Sequence, residues 1–513
     1  MAARPLGRWW LATTVVVAVT AAAWVGTGQL ARRTLAASVP PLLDLRPLPG
    51  AVQSAVRQAD AEARSNPGAR SIGNLGRAYH AAQLRDGALA AYRAAEAMAP
   101  RDWRWTYLRA LLLDERGDQG VREAFLRVTE VAPGVGLAWF RLAQADFKAG
   151  RLDEARLAYS RAEAAPAVAA FMPDGVTSRR TWPLAAYAGV ALARLDLEGG
   201  KSDQARRRLA SLAERHPDFV PVVGLLRQID RGQTVPGSYV PPADPELDAL
   251  VASSRVSDLL LEHAGLAARA SDNGWREFLA RRALTFNPDD LNVLMEMAAM
   301  LQATARPAEA LEYLTRHEAL APGDHHALVQ QGRVLGDLGR LAEAEAVLTR
   351  ATAVRDAAAE YNLGAVLDRR GQWDEARRRY ERALAINPFH TRAMNDLAAG
   401  LDRRGDTPAA LAWFEKAVQI APDTAAFRVN YGSALIQARR FDEAIATLTS
   451  AIALDPRDAT PHNALGIALA SKGDLLAARD AFTRAIQLDP AHANAGRNLE
   501  RVSAALASRG QRP

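Results

Sequence analysis

The chain has 513 residues, too long for one ordinary compact domain, and is 49% hydrophobic but only 6% aromatic. Its 64 Lys+Arg stand against 58 Asp+Glu, a net charge of +6 without a dominant block, which argues against a nucleic-acid surface. There are no cysteines, so disulfides, thiolate metal sites and haem attachment through a CxxCH motif are excluded.

The first predicted element is a membrane span. Trp9 to Ala31, "WWLATTVVVAVTAAAWVGTGQLA", holds no charge across 23 residues. As a helix it would be about 35 Å long, enough for a hydrocarbon core of roughly 30 Å. Trp9, Trp10 and Trp24 lie towards its ends, where indoles favour the interface. The rival reading is a signal peptide cleaved near Ala21–Ala23. Arg4 and Arg8 before the span nearly balance Arg32 and Arg33 after it. A very short head before a large body places the body outside the cytoplasm. The expectation is therefore a single-pass protein of the inner (cytoplasmic) membrane with a periplasmic bulk, or a periplasmic protein if the segment is cleaved. Residues 1–33 are read as the anchor, and 34–66, with Pro40, Pro41, Pro47 and Pro49, as a stalk.

Beyond the stalk the sequence repeats itself. "GQWDEARRRYERALAINP" returns with changed residues as "GDTPAALAWFEKAVQIAP", "RRFDEAIATLTSAIALDP" and "GDLLAARDAFTRAIQLDP". Pro388, Pro422, Pro456 and Pro490 close these phrases at intervals of 34 residues. A fixed period of this length signals a solenoid of stacked modules. Within each module one position is small (Gly332, Gly364, Ala398, Gly432, Gly466) and another is alanine (Ala344, Ala376, Ala410, Ala444, Ala478). A third position is large in Tyr92, Tyr159, Tyr380, Phe414 and Phe482. Small residues let two helices approach, and the large one is expected to fill the space against the next module. Gly150, Gly339, Gly371, Gly405 and Gly473 mark the turn between paired helices.

These positions resemble the tetratricopeptide repeat (TPR), and the anchor suggests the membrane-bound bacterial type. The resemblance implies an all-α, right-handed superhelical solenoid of helix-turn-helix repeats behind an N-terminal transmembrane helix. Four weaker repeats start near Ala69, Asp102, Gly136 and Ala186, forming an array over 67–218 interrupted by residues 167–183. A proline-rich linker is expected over 219–250. Seven repeats start near Ser257, Leu291, His325, Ala357, Thr391, Ala425 and Ala459, forming a second array over 251–492. Residues 493–513 are read as a capping helix and tail.

No catalytic constellation is visible. "GGKS" at Gly199–Ser202 has Leu195 where a phosphate loop needs glycine, and it falls on a turn between helices. "HEALA" from His317 lacks the second histidine of a zinc helix. Neither a cofactor, a metal nor a small-molecule substrate is expected, and the chain is read as non-enzymatic.

The resemblance implies instead a concave groove lined by first helices, with the sixth position of each repeat facing it. That column reads Asn74 in the first array and Gln330, Asn362, Asp396, Asn430, Ala464 and Asn498 in the second, with Asn463 one place off. A carboxamide both donates and accepts, so a row of them could grip an extended peptide backbone. The row is similar to the asparagine ladder in the repeat superhelix of O-linked N-acetylglucosamine transferase. Tyr361, Arg369, Arg392, Asn395 and Arg403 share the expected face. The expected partner is a protein or peptide segment, and no nucleic acid. The alternative role is a non-catalytic accessory subunit of a cell-envelope enzyme system.

Overall fold

The computed structural model describes residues 35, 37–231, 241–508 and 510, and all its regular elements are helices. The expected anchor at Trp9–Ala31 lies outside the described residues. Among the described residues no helix is long and apolar enough to cross a membrane. The chain divides into two compact units, Met1–Thr304 and Ala305–Pro513.

The second unit shows the module most plainly. First helices run Ala357–Arg369, Thr391–Asp402, Ala425–Gln437 and Ala459–Lys472, starting 34 residues apart. Their partners run Trp373–Ile386, Thr407–Ile420, Phe441–Leu454 and Leu475–Leu488. Each second helix stops two residues before the proline of its phrase, because proline removes a donor and clashes with the preceding turn. Asp356 and Asp458 accept backbone N–H groups at the starts of first helices, and Asp406 and Asp474 do so for second helices. Asp374–Glu375 and Asp442–Glu443 lie in the first turn of their second helices, where the helix dipole favours negative charge.

The small positions are contacts. A Cβ on Gly364 would sit 2.9 Å from the Tyr380 ring, and one on Gly466 would sit 2.5 Å from Phe482. Ala376, Ala410, Ala444 and Ala478 are fully buried. The large side chain packs on the glycine of its own module, sixteen positions earlier in both pairs. Contact with the next module includes Trp373, which closes over Gly400, where a Cβ would meet the indole at 2.0 Å. Turn glycines Gly371, Gly405 and Gly473 have φ of 77°, 86° and 99°. Gln83, Ser271 and Arg439 hold the same left-handed turn without glycine, at φ of 60°, 55° and 60°.

The first unit holds hairpins beginning with Ala69–Ala81, Trp103–Arg116, Gly136–Lys148, Leu184–Glu198 and Ser257–Arg269. One apolar core runs through it from Val39 to Val293. Two expected connectors are built into that core. The stalk over 34–66 contains the helix Gly50–Ser65, because Val52, Val56 and Ala63 recur on one face and are buried against the first hairpin. The expected linker over 219–250 contains the helix Val220–Arg231 and, from Pro241, a segment that packs within the unit. Its helix Pro245–Ser253 buries Leu250 and Val251 against Ala69–Ala81 and Trp103–Arg116. The compact-unit boundary falls at Thr304/Ala305, inside the repeat that starts at Leu291.

The interruption at 167–183 is also tied down. Arg179 reaches Asp248 at 2.7 Å and Asp272 at 2.9 Å, and lies 4.5 Å from the centre of the Trp275 ring. Arg276 occupies a position that is alanine elsewhere, is buried, and pairs with Glu296 at 2.5 Å.

Candidate functional site

Within the second unit, successive first helices approach one another while successive second helices stay farther apart. The first-helix side is therefore the inner side of the stack, and the sixth-position column lies on it.

The column is interlocked. Asn430 donates Nδ2–H to Asn395 Oδ1 at 3.0 Å. Asn395 donates to Asp396 Oδ1 at 3.0 Å, and the Tyr361 hydroxyl donates to Asp396 Oδ2 at 2.9 Å. One polar chain thus joins three consecutive first helices. Asn498 repeats the motif by donating to Asn463 Oδ1 at 3.1 Å. Asn395 and Asn463 are buried, whereas Asn362, Asp396, Asn430 and Asn498 are half-buried. Asn362 donates to Ala358 O of its own helix at 2.9 Å. Gln330 accepts from Arg333 on its own helix, and Ala464 is buried. The structure therefore brings Tyr361, Asn395, Asp396 and Asn430 into one network and leaves Gln330 and Asn362 outside it.

The arginines form a second row of links. Arg369 donates to Gly336 O at 2.7 Å, and Arg403, one module later, pairs with Asp368 at 2.6 Å. Each reaches back to the preceding first helix. Arg392, exposed like Arg369 and Arg403, makes no ion pair to a neighbouring helix among the described residues, and its charge acts on Tyr361 and His390. Burial, then the Asp396 carboxylate, push the Tyr361 hydroxyl above the ordinary tyrosine range, so it stays a donor. Burial holds the His390 imidazole below its ordinary value, and its Nδ1 accepts from Ala393 N at 3.1 Å as a helix cap. The Tyr361 and His390 rings lie 4.8 Å apart.

A side-chain amide carries two N–H groups and one oxygen. Asn430 and Asn498 each commit one N–H to the neighbouring helix, so the face offers their oxygens, the second N–H groups and the Arg392 guanidinium. This suits recognition of carbonyl and N–H groups on a peptide, with a cation for selectivity. Gly199–Ser202 forms a turn between Leu184–Glu198 and Ser202–Arg215, with Gly200 at φ 71°. His325 pairs with Asp356 at 2.9 Å, and among the described residues no group of three side chains is arranged to hold a metal.

The signal for the network was present in the sequence: Tyr361/Asp396, Asn395/Asn430 and Asn463/Asn498 are each 35 residues apart. That offset joins the fifth position of one repeat to the sixth of the next. The sequence reading missed Tyr107 and Arg141, which hold the sixth position of the second and third repeats of the first array.

Family models described as tetratricopeptide repeat match residues 122–169, 187–218, 355–423 and 431–493. No curated protein matches the chain. Among solved structures the chain is similar to the APC/C hetero-tetramer Cut9-Hcn1, at 14% identity and a TM-score of 0.43 over 88% of this chain and 93% of that one. It is similar to yeast Tom70, at 17% identity and a TM-score of 0.36 over 86% and 88%. A tetratricopeptide repeat protein from Parabacteroides merdae aligns at 14% identity and a TM-score of 0.39 over 48% and 98%. The hairpins, their spelling and these family matches agree: the chain carries tetratricopeptide repeats in both of its units.

Proposed function

We propose that the chain is a non-enzymatic scaffold whose C-terminal repeats hold an extended segment of a partner protein on their first-helix face. Tetratricopeptide repeat proteins typically mediate protein–protein interactions, and their fold is generally non-catalytic. The observation that carries the finer reading is the half-buried row Asn362, Asp396, Asn430 and Asn498 beside exposed Arg392. Its amides keep hydrogen-bonding capacity after the links between helices are made. The uncharged stretch Trp9–Ala31 would anchor this scaffold in the inner membrane, with the repeats on the periplasmic side.

The test is selection of extended peptides on the full-length protein, followed by binding to variants. Arg392→Ala and Asn362→Ala should each weaken a selected peptide about five-fold or more. Arg378→Ala, on an exposed second-helix position, should leave affinity unchanged. The opposite pattern would move the partner to the second-helix face. Anchoring is tested separately by proteolysis of intact spheroplasts. Degradation of an epitope in residues 305–513 is expected, and full protection would overturn the outward topology.

A further inference from the structure

The inner face of the first array is already filled. The sixth-position residues of its first three repeats, Asn74, Tyr107 and Arg141, all face the segment 241–255. The Tyr107 hydroxyl donates to Asp244 Oδ2 at 2.6 Å, and the Arg141 guanidinium lies 3.6 Å from the same oxygen. Asn74 lines a cavity whose other wall includes Ala249, Leu250 and Ser253. Arg77, three positions further along the first helix, pairs with Glu246. Arg179 meets the third carboxylate, Asp248, at 2.7 Å. The segment ends with Ser254 Oγ donating to Ala81 O at 2.7 Å.

Asp244 and Glu246 therefore meet donors on the array's first helices, and Asp248 meets Arg179 of the segment that interrupts the array. The spacing explains the match. Asp244 caps the helix Pro245–Ser253 by accepting from Leu247 N, so its carboxylate is fixed at the helix start. Asp244 and Asp248 are four residues apart and nearly fully buried, at 2% and 7% exposure. Leu250 and Val251 follow and enter the core. Buried carboxylates are tolerated only where a cation or donor meets them. The same row that is half-buried and uncovered by any described segment in the second unit is here satisfied by an acidic helix of the chain itself.

We infer that the inner face of the first array is a second peptide-binding groove, closed in this structure by residues 241–255 acting as an internal ligand. Its partner in trans is a short amphipathic helix with carboxylates at the places of Asp244, Glu246 and Asp248, followed by an apolar pair. The groove recognises side chains, through Tyr107, Arg141, Arg77 and Arg179, and not peptide backbone. This inference does not rest on the second unit's face.

The experiment uses the full-length protein and a fluorescent peptide of residues 241–256. Wild type should bind it weakly, because the groove is occupied. A D244A/E246A variant, which loosens the internal segment and leaves the array's donors in place, should bind it at least about ten-fold more tightly. A peptide with Asn and Gln in place of the three carboxylates should lose that gain, as should adding Tyr107→Phe and Arg77→Ala to the variant. Hydrogen exchange is read alongside. Protection should fall across Pro245–Ser253 and persist across Ala69–Lys148. Three results overturn the inference: equal peptide binding by wild type and variant, unchanged protection across Pro245–Ser253, or loss of protection throughout the array. The last would make the segment indispensable to the folding of the array and not a displaceable ligand.

Discussion

Asn395 is the sharpest point at which to perturb the inner face of the second unit. It is 7% exposed, accepts from Asn430 at 3.0 Å and donates to Asp396 at 3.0 Å. Asn395→Ala removes both bonds. A neutral hydrogen bond contributes about 1 kcal/mol net, and one to a carboxylate about 1.5–3 kcal/mol. Asp396 and Asn430 are half-buried and partly recover water, so the loss should be about 2 kcal/mol. Asn430→Ala removes one of these bonds and should cost about 1 kcal/mol. The double variant should show a coupling of about 1 kcal/mol, the value of the shared bond. Asn362 bonds within its own helix, so Asn362→Ala should combine additively with Asn395→Ala, within about 0.3–0.5 kcal/mol. The assay is native-state hydrogen exchange at amides of Thr391–Asp402 and Ala425–Gln437, which reports local opening without assuming one transition for the whole chain. A coupling below about 0.3 kcal/mol between Asn395 and Asn430 would refute the interlocked network.

Other outcomes follow from the same geometry. Gly466→Ala would place a Cβ 2.5 Å from Phe482, so it should cost about 1–3 kcal/mol, seen as a lower urea midpoint. Arg439→Gly should instead stabilise. The left-handed turn at φ 60° costs a side chain about 1–2 kcal/mol, and the added glycine entropy offsets about 0.5–1 of that, leaving roughly 0.5–1 kcal/mol. The first unit should show two opposing pH responses. Burial lowers His263 from 6.5 to about 4, despite Glu115 and Asp244, with Arg141 and His80 acting in the same direction as burial. The unfolded chain then takes a proton that the folded one refuses, so this contribution, on the order of 3 kcal/mol, is lost as pH falls from about 6.5 to about 4. Burial raises Asp248 from 3.8 to about 6 against the pull of Arg179, with Asp244 and Asp272 adding to the rise. Its contribution, of similar size, is lost as pH rises from about 4 to about 6. Exchange protection of Ser257–Arg269 should therefore fall in acid for Asp248→Asn and rise in acid for His263→Gln. Equal slopes in the two variants would refute the assignment.

The sequence revealed the modules and left their connections hidden. Period, helix starts and the glycine turns were legible because each follows from a local rule repeated along the chain: proline stops, glycine at positive φ, alanine where helices touch. The helix Gly50–Ser65 was concealed by prolines just before it, although Val52, Val56 and Ala63 carry a helical spacing. Residues 241–250 read as linker because Pro241, Pro242 and Pro245 dominate them, yet Asp244 ahead of Pro245 is a helix-start signal. Their partners Tyr107, Arg141, Arg77 and Arg179 lie 69–169 residues upstream by number, and no local pattern links them to this segment. On the candidate face, the column was found by position. Repetition showed that Asn395 and Asn430 lie on one side. Only packing showed that they spend part of their hydrogen-bonding capacity on each other.

The central claim is that the inner face of the C-terminal repeats holds a partner's segment. The most direct measurement is site-specific photocrosslinking in intact cells from the full-length protein. A photoreactive residue is placed at Arg392, exposed on a first helix, or at Arg378, exposed on a second helix. A discrete adduct from position 392, absent from 378 and competed by a selected peptide, is the predicted result. Adducts from position 378 alone would contradict the account and place the partner on the outer helices.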